Sequence, residues 1–164
     1  MGAKTKSGVA ISAAVIAGTI ALIMPSEGLR THAYPDPANP HLATICYGET
    51  QDVRFGDVKT PEQCGEMLAK RLPGYLRPIY EMLPDLPDNR AIAYGDAAYN
   101  MGVGVLTRRS NDVPGTSIVD LEKRGEWRSA CKRLLLFVYA NGAKLPGLVK
   151  RRQKEYEVCM GDAE

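Results

Sequence analysis

The chain has little histidine, little aromatic content and almost no net charge, and each shortage excludes something. Only His32 and His41 could join the four cysteines at a metal, and no CxxC pair occurs, which argues against a zinc site. A formal net charge of +2 over 164 residues is too small to point to nucleic acid. There is no internal repeat and no low-complexity tract. What is present, 45% hydrophobic and 24% charged residues, describes one globular domain. That length buries a core without help from a metal or organic cofactor, and none is expected.

Two features of the composition leave alternatives open. Cys46, Cys64, Cys131 and Cys159 are even in number and scattered. That fits disulfides in an oxidising compartment, although a cytosolic protein of this size also carries free thiols. Lys144, Lys150, Arg151, Arg152 and Lys154 crowd the end of the chain. They read either as a solvated helix face or as a patch turned toward an anionic polymer.

Residues 8–24, GVAISAAVIAGTIALIM, hold no charge; Lys4 and Lys6 precede them and no basic residue follows until Arg30. Seventeen helical residues rise about 25 Å, against a hydrocarbon core of roughly 30 Å. The run is at the lower limit for spanning, and five alanines, two glycines, a serine and a threonine dilute it. The lysines would hold the N-terminal side in the cytoplasm and send the rest of the chain across the inner membrane. A cleaved signal peptide needs a small-x-small site, which ALIMPSE supplies poorly. A permanent anchor calls for a longer and greasier run. The third reading is a segment that inserts, exports the chain and later leaves the bilayer. Its small pairs Ala10/Ala14, Ala13/Ala17 and Ala17/Ala21 would then pack closely on protein. A core helix of a cytosolic protein is the plain alternative, disfavoured by the lysine flank and the cysteines.

Further along, Thr44, Ile45 and Tyr47 predict a strand and Val53–Val58 a second, together a small hairpin. Thr60-Pro61-Glu62-Gln63 predicts a capped helix that Pro73-Gly74 stops near Leu72. Ile92, Ala93, Ala97 and Met101 share one helical face ending at Gly102. Another helix begins at Ile118, Val119 and Leu121, and a run follows from Trp127 to Tyr139. A last helix covers about Pro146 to Cys159, with Leu148, Tyr156 and Val158 inward. The class is α+β: a small β-hairpin lobe, a larger helical lobe and a cleft between them.

Glu27 and Asp36 stand eight residues apart across the sharp turns at Pro35 and Pro37. Two carboxyls facing each other over a cleft are what glycoside hydrolysis uses, one donating a proton and the other acting ionised. Spacing alone leaves solvated surface as the commoner explanation.

The order Glu27-Gly28, eight residues, Asp36, then Thr44 and the turn Cys46-Tyr47-Gly48 resembles the phage lysozymes typified by the T-even phage enzyme, glycoside hydrolase family twenty-four. The resemblance continues through YNMGVG at 99–104, GEW at 125–127 and YANGAKLPGLVKRR at 139–152. It covers most of residues 25–159. The segment PANPHLA makes the Asp36–Thr44 loop two residues longer than the family pattern. Glu49 stands where many relatives have histidine, and TRRSNDVPG at 107–115 is longer than usual.

The resemblance implies a lysozyme-like fold and hydrolysis of the β-1,4 bond between N-acetylmuramic acid and N-acetylglucosamine in peptidoglycan. Glu27 would be the general acid, Asp36 would orient the attacking water with help from the Thr44 hydroxyl, and inversion is the expected outcome. Asn100 and Gly102 are weaker candidates for contacting the sugar chain, a structural part in the turn being the competing reading. The family fold also implies the pairings Cys46–Cys64 and Cys131–Cys159. A subgroup of the family carries an uncleaved signal-arrest-release segment, and residues 1–24 resemble one, ahead of a catalytic domain at 25–164. Glu27 would stay at the membrane surface until release, which in phage lysis follows the action of a holin or pinholin. Some relatives exchange disulfides on release through a cysteine in that segment; residues 1–24 have none, so refolding of the segment is the expected trigger. The released protein is expected in the periplasm as a monomer. Rival readings are a lytic transglycosylase using Glu27 alone, a non-catalytic wall-binding module and a cytosolic helical regulator.

Overall fold

The structure is a computed structural model that describes residues 10–109 and 116–161. Helix α1 (Ala13–Glu27) starts where the Ser12 hydroxyl accepts the Val15 N–H at 3.1 Å. It stops at Gly28, whose φ of 71° lies in the left-handed region that glycine tolerates. Most of the apolar run is therefore one helix, and Glu27 is its last residue. Val15, Thr19 and Ile23 form its buried face. The alanines expected to pack on protein (Ala10, Ala13, Ala14, Ala17 and Ala21) instead face outward. Close approach comes from glycine: a Cβ on Gly18 would meet Ile92 Cδ1 at 2.4 Å, and one on Gly95 would meet Thr19 Cγ2 at 3.2 Å. Among the described residues no helix is long and apolar enough to cross a membrane.

Strand β1 (Arg30–Pro35) pairs antiparallel with β2 (Ala43–Cys46), setting Tyr34 opposite Thr44 and Pro35 opposite Ala43, with an irregularity between Arg30 and Tyr34. The hairpin partner of β2 is thus upstream, not Val53–Val58 as expected. In that later stretch Gly56 takes a φ of 96° and the Arg54 N–H bonds the Asp57 carboxylate at 2.9 Å, a turn that prevents a regular strand. Only an isolated bridge, Val58 with His32, joins it to the hairpin.

Helix α2 (Pro61–Met82) opens with the expected capping box, Gln63 N–H to Thr60 Oγ1 at 3.2 Å and Thr60 N–H to Gln63 Oε1 at 2.9 Å. It does not stop at Leu72; it runs through Pro73 and Pro78. Leu68, Leu72, Leu76 and Ile79 continue one buried face across both prolines, and that burial outweighs the lost backbone bonds. Helix α3 (Asp88–Met101) is the central element, burying Ala91, Ala93, Tyr94, Asp96, Ala97 and Ala98, and ends at Gly102 as expected. A 3-10 turn (Val103–Thr107), α4 (Ile118–Lys123) and α5 (Trp127–Leu134) follow. Most of the long stretch at 107–115 lies outside the described residues.

The run from Trp127 does not reach Tyr139 as one helix. Tyr139–Ala140 (β3) and Ala143–Lys144 (β4) form a second hairpin around Asn141 and Gly142, whose φ values of 50° and 78° suit an Asn-Gly turn. Helix α6 (Pro146–Met160) closes the fold. Leu148, Tyr156 and Val158, expected inward, are half-buried, while Arg151, Arg152, Glu155 and Cys159 are buried. The doublet Arg151-Arg152 is therefore neither a solvated face nor an exposed patch. The cysteines pair as the family fold implies, Cys46–Cys64 and Cys131–Cys159. With separations of 18 and 28 residues, each is worth on the order of 3 kcal/mol in the chain-entropy picture.

Candidate active site

Glu27 sits where two cavities meet. One, of about 170 Å³, has Tyr47, Gly48, Glu49, Arg71, Tyr75 and Tyr99 in its wall. The other, of about 620 Å³, is lined by α1 and α6, including Leu148, Lys150, Arg151 and Lys154. Glu27 and Asn100 belong to both. The Glu27 side chain is 25% exposed, so it faces the space and is held from behind. What holds it is Arg151 of α6, whose Nη1 donates to Glu27 Oε1 at 2.6 Å.

Arg151 is fixed in turn. Its Nη2 and Nε donate to the two Asp96 oxygens at 2.7 and 3.1 Å, a two-pronged bond that sets the plane of the guanidinium. Burial works against the Arg151 charge, yet the bonds to Asp96 and then Glu27 hold it protonated above the usual arginine range. Beside it Arg152 Nη2 donates to Asn100 Oδ1 at 2.8 Å and lies 2.9 Å from Glu155 Oε1. Asn100, expected to contact sugar, thus keeps its place in the cleft wall through Arg152.

The smaller cavity is built of aromatic rings and one ion pair. Tyr75 and Tyr99 lie 5.2 Å apart between ring centroids, tilted by 60°. The Tyr99 hydroxyl donates to the Tyr47 carbonyl, and burial, then Glu27, pushes its ionisation upward. Glu49, in the family's histidine position, pairs with Arg71 at 2.8 Å and accepts the Thr50 and Gln51 N–H groups at 2.9 and 2.8 Å. Its charge is spent on the hairpin and on α2.

Asp36 and Thr44 come together on the β1–β2 hairpin. The Thr44 hydroxyl, on a residue only 2% exposed, donates to Asp36 Oδ2 at 3.4 Å. Asp36 Oδ1 accepts the Ala38 and Asn39 N–H groups at 2.8 and 2.9 Å, which anchors the lengthened loop and leaves Oδ2 the freer oxygen. Asp36 lines neither cavity that meets at Glu27, and Gly102 lines neither; its φ of 82° and its bond to Ala98 end α3. Two residues that hold the site escaped the sequence reading: Arg151, taken as surface charge, and Asp96. The available signal was an acid inside the small-residue stretch Tyr94–Tyr99, which only a buried cation would tolerate.

The phage lysozyme family model matches residues 24–155. The SAR-endolysin of Escherichia phage P1 is 35% identical over 145 residues, covering 85% of this chain and 77% of that protein. The solved structure of the active form of P1 phage endolysin Lyz superposes with a TM-score of 0.76 at 33% identity, covering 90% of this chain and 86% of that one. The secreted inactive form of the same endolysin gives a TM-score of 0.56 at 27% identity, covering 90% and 97%. The arrangement described above is thus nearer to the active form. A carboxyl at a helix end in a two-lobed cleft, a small hairpin opposite, and these matches lead to one conclusion: the chain belongs to the phage lysozyme family, a family of lysozyme-type hydrolases.

Proposed function

We propose that the protein is a phage endolysin that hydrolyses the β-1,4 bond between N-acetylmuramic acid and N-acetylglucosamine in peptidoglycan, with inversion at the anomeric carbon. The observation that carries this reading is Glu27 at the junction of the two cavities, gripped by Arg151. Glu27 donates its proton to the leaving glycosidic oxygen. Asp36, ionised, takes a proton from the attacking water, and the Thr44 hydroxyl beside Asp36 Oδ2 orients that water. Tyr75 and Tyr99 supply rings for sugar faces, and Asn100 supplies an amide.

The same reading assigns residues 1–24 as a signal-arrest-release segment and 25–164 as the catalytic domain. Residues 8–24 hold the chain in the inner membrane, with the domain in the periplasm, until a holin or pinholin acts. On release the apolar run docks on α3. Support comes from α1 itself, since one helix holds both most of the apolar run and Glu27.

The test is turbidity loss of outer-membrane-permeabilised Gram-negative cells with wild type, Glu27→Gln and Asp36→Asn, together with product analysis. Loss of activity in both variants, with ordinary reducing muramic ends of inverted configuration, is the expected result. An active Asp36→Asn enzyme releasing anhydro ends would make it a lytic transglycosylase.

A further inference from the structure

Glu155 is the most deeply buried carboxyl of the helical lobe, at 0% exposure, and the mechanism above leaves it unused. It stands in a cluster of two guanidinium groups, Arg151 and Arg152, and three carboxyls, Glu27, Asp96 and Glu155. Four of the five side chains are at most 6% exposed. Two cations and three anions leave one negative charge over in a place where water cannot screen it, a cost of several kcal/mol. One proton removes the imbalance.

The hydrogen bonds show where that proton rests. Asp96 is saturated by the Arg151 fork. Glu155 receives no well-aligned hydrogen bond on either oxygen; Arg152 Nη2 lies 2.9 Å from Oε1, and Arg151 Nε is 3.8 Å from it. Burial, then the neighbouring Asp96 carboxylate, pushes the Glu155 carboxyl strongly toward its neutral form. Asp96 comes from α3 and Glu27 from α1; no charged side chain of α5 makes an ion pair with Glu155 among the described residues. A cavity of about 230 Å³ bordered by Pro25, Ser26, Asp96 and Arg151 opens beside the cluster and gives water a way to carry protons.

We propose that Glu155 and Glu27 share a single proton, making Glu155 a positioning residue that keeps Glu27 available as the acid. With the proton on Glu155, Glu27 is ionised; with it on Glu27, Glu155 is ionised. In both forms the cluster carries two positive and two negative charges, so the exchange costs little electrostatic energy. A neutral residue at 155 would force a protonated Glu27 to coexist with an uncompensated positive charge. This inference rests on Glu27 being the general acid.

The experiment is the pH–rate profile of peptidoglycan hydrolysis for wild type, Glu155→Gln, the double variant Arg152→Gln/Glu155→Gln, and Glu27→Gln, with thermal melts at each pH. In Glu155→Gln the alkaline limb moves acidward by about one unit or more, a tenfold loss of activity on that limb. The double variant, which removes a cation as well, brings the limb back toward wild type. A Glu155→Gln limb equal to wild type, or one that the double variant fails to restore, would overturn the proposal. Infrared spectroscopy of the wild type adds a measurement that needs no variant to fold. A buried protonated carboxyl band at neutral pH is expected, and its absence also overturns the proposal. A Glu27→Gln enzyme with full activity would refute the assignment of the acid itself, an outcome distinct from the other two.

Discussion

Arg151 reaches Glu27 at 2.6 Å although 124 positions separate them in the chain. The contact ties the end of α1 to α6 over the top of α3, and Asp96 of α3 supplies the counter-charge that keeps the guanidinium in plane. Position of the acid is therefore a property of three helices together.

Arg151→Lys keeps the charge and loses the fork, so Glu27 and Asp96 can no longer be held at once. The expected outcome is a kcat lowered by roughly tenfold or more with KM little changed, since the loss falls on placement of the acid. Arg151→Met leaves Asp96 buried without a partner and costs about 3–5 kcal/mol by denaturant titration. Steady-state kinetics on soluble peptidoglycan fragments would check the first; wild-type kcat in Arg151→Lys would remove the residue from this role.

Docking of α1 depends on two glycines, because a Cβ at Gly95 would meet Leu76 Cδ2 at 2.8 Å and Thr19 Cγ2 at 3.2 Å, and one at Gly18 would strike Ile92. Gly18→Leu and Gly95→Val each lower stability by about 1–3 kcal/mol and lower the activity of the folded protein, since Glu27 travels with the helix. Ala14→Leu, on the outward face, stays within about 0.5 kcal/mol of wild type. Equal losses on both faces in paired melts and turbidity assays would contradict the docking.

Tyr94 is fully buried and donates to Glu122 at 2.7 Å; burial, then Glu122, raises its ionisation well above the ordinary 10.0. Tyr99 is shifted the same way by burial and then Glu27. A phenol that keeps its proton longer folded than unfolded gives stability that is whole below the ordinary value and drains away as pH rises above it. Spectrophotometric titration is expected to show at least these two of the eight tyrosines silent until alkaline unfolding, then ionising together. Smooth ionisation of all eight in the folded protein would contradict their environment.

Local signals carried much of the fold. The Thr60–Gln63 box, the stop at Gly102 and the start at Pro146 are short-range chemistry, readable from neighbours in the chain. The continuation of α2 through Pro73 and Pro78 was not readable, because a tertiary face decides it. β1 was missed because Arg30–Pro35 holds little of the strand alternation; its pairing depends on the loop closed by Asp36 and Leu42. At the site, Glu27, Asp36 and Thr44 were legible as a spaced pattern. Arg151 and Asp96 were not, since a buried ion pair joins residues 55 positions apart and each partner alone looks like surface.

Helix α1 has to satisfy two solvents on the proposed route. A run made of leucine would suit lipid but leave a sticky stripe on the finished enzyme, inviting aggregation. Alanine at positions 13, 14, 17 and 21 presents a single methyl each to water, while Val15 and Ile23 hide beneath. The weak hydrophobicity of the segment is thus a solubility requirement of the final state as much as a condition for leaving the first.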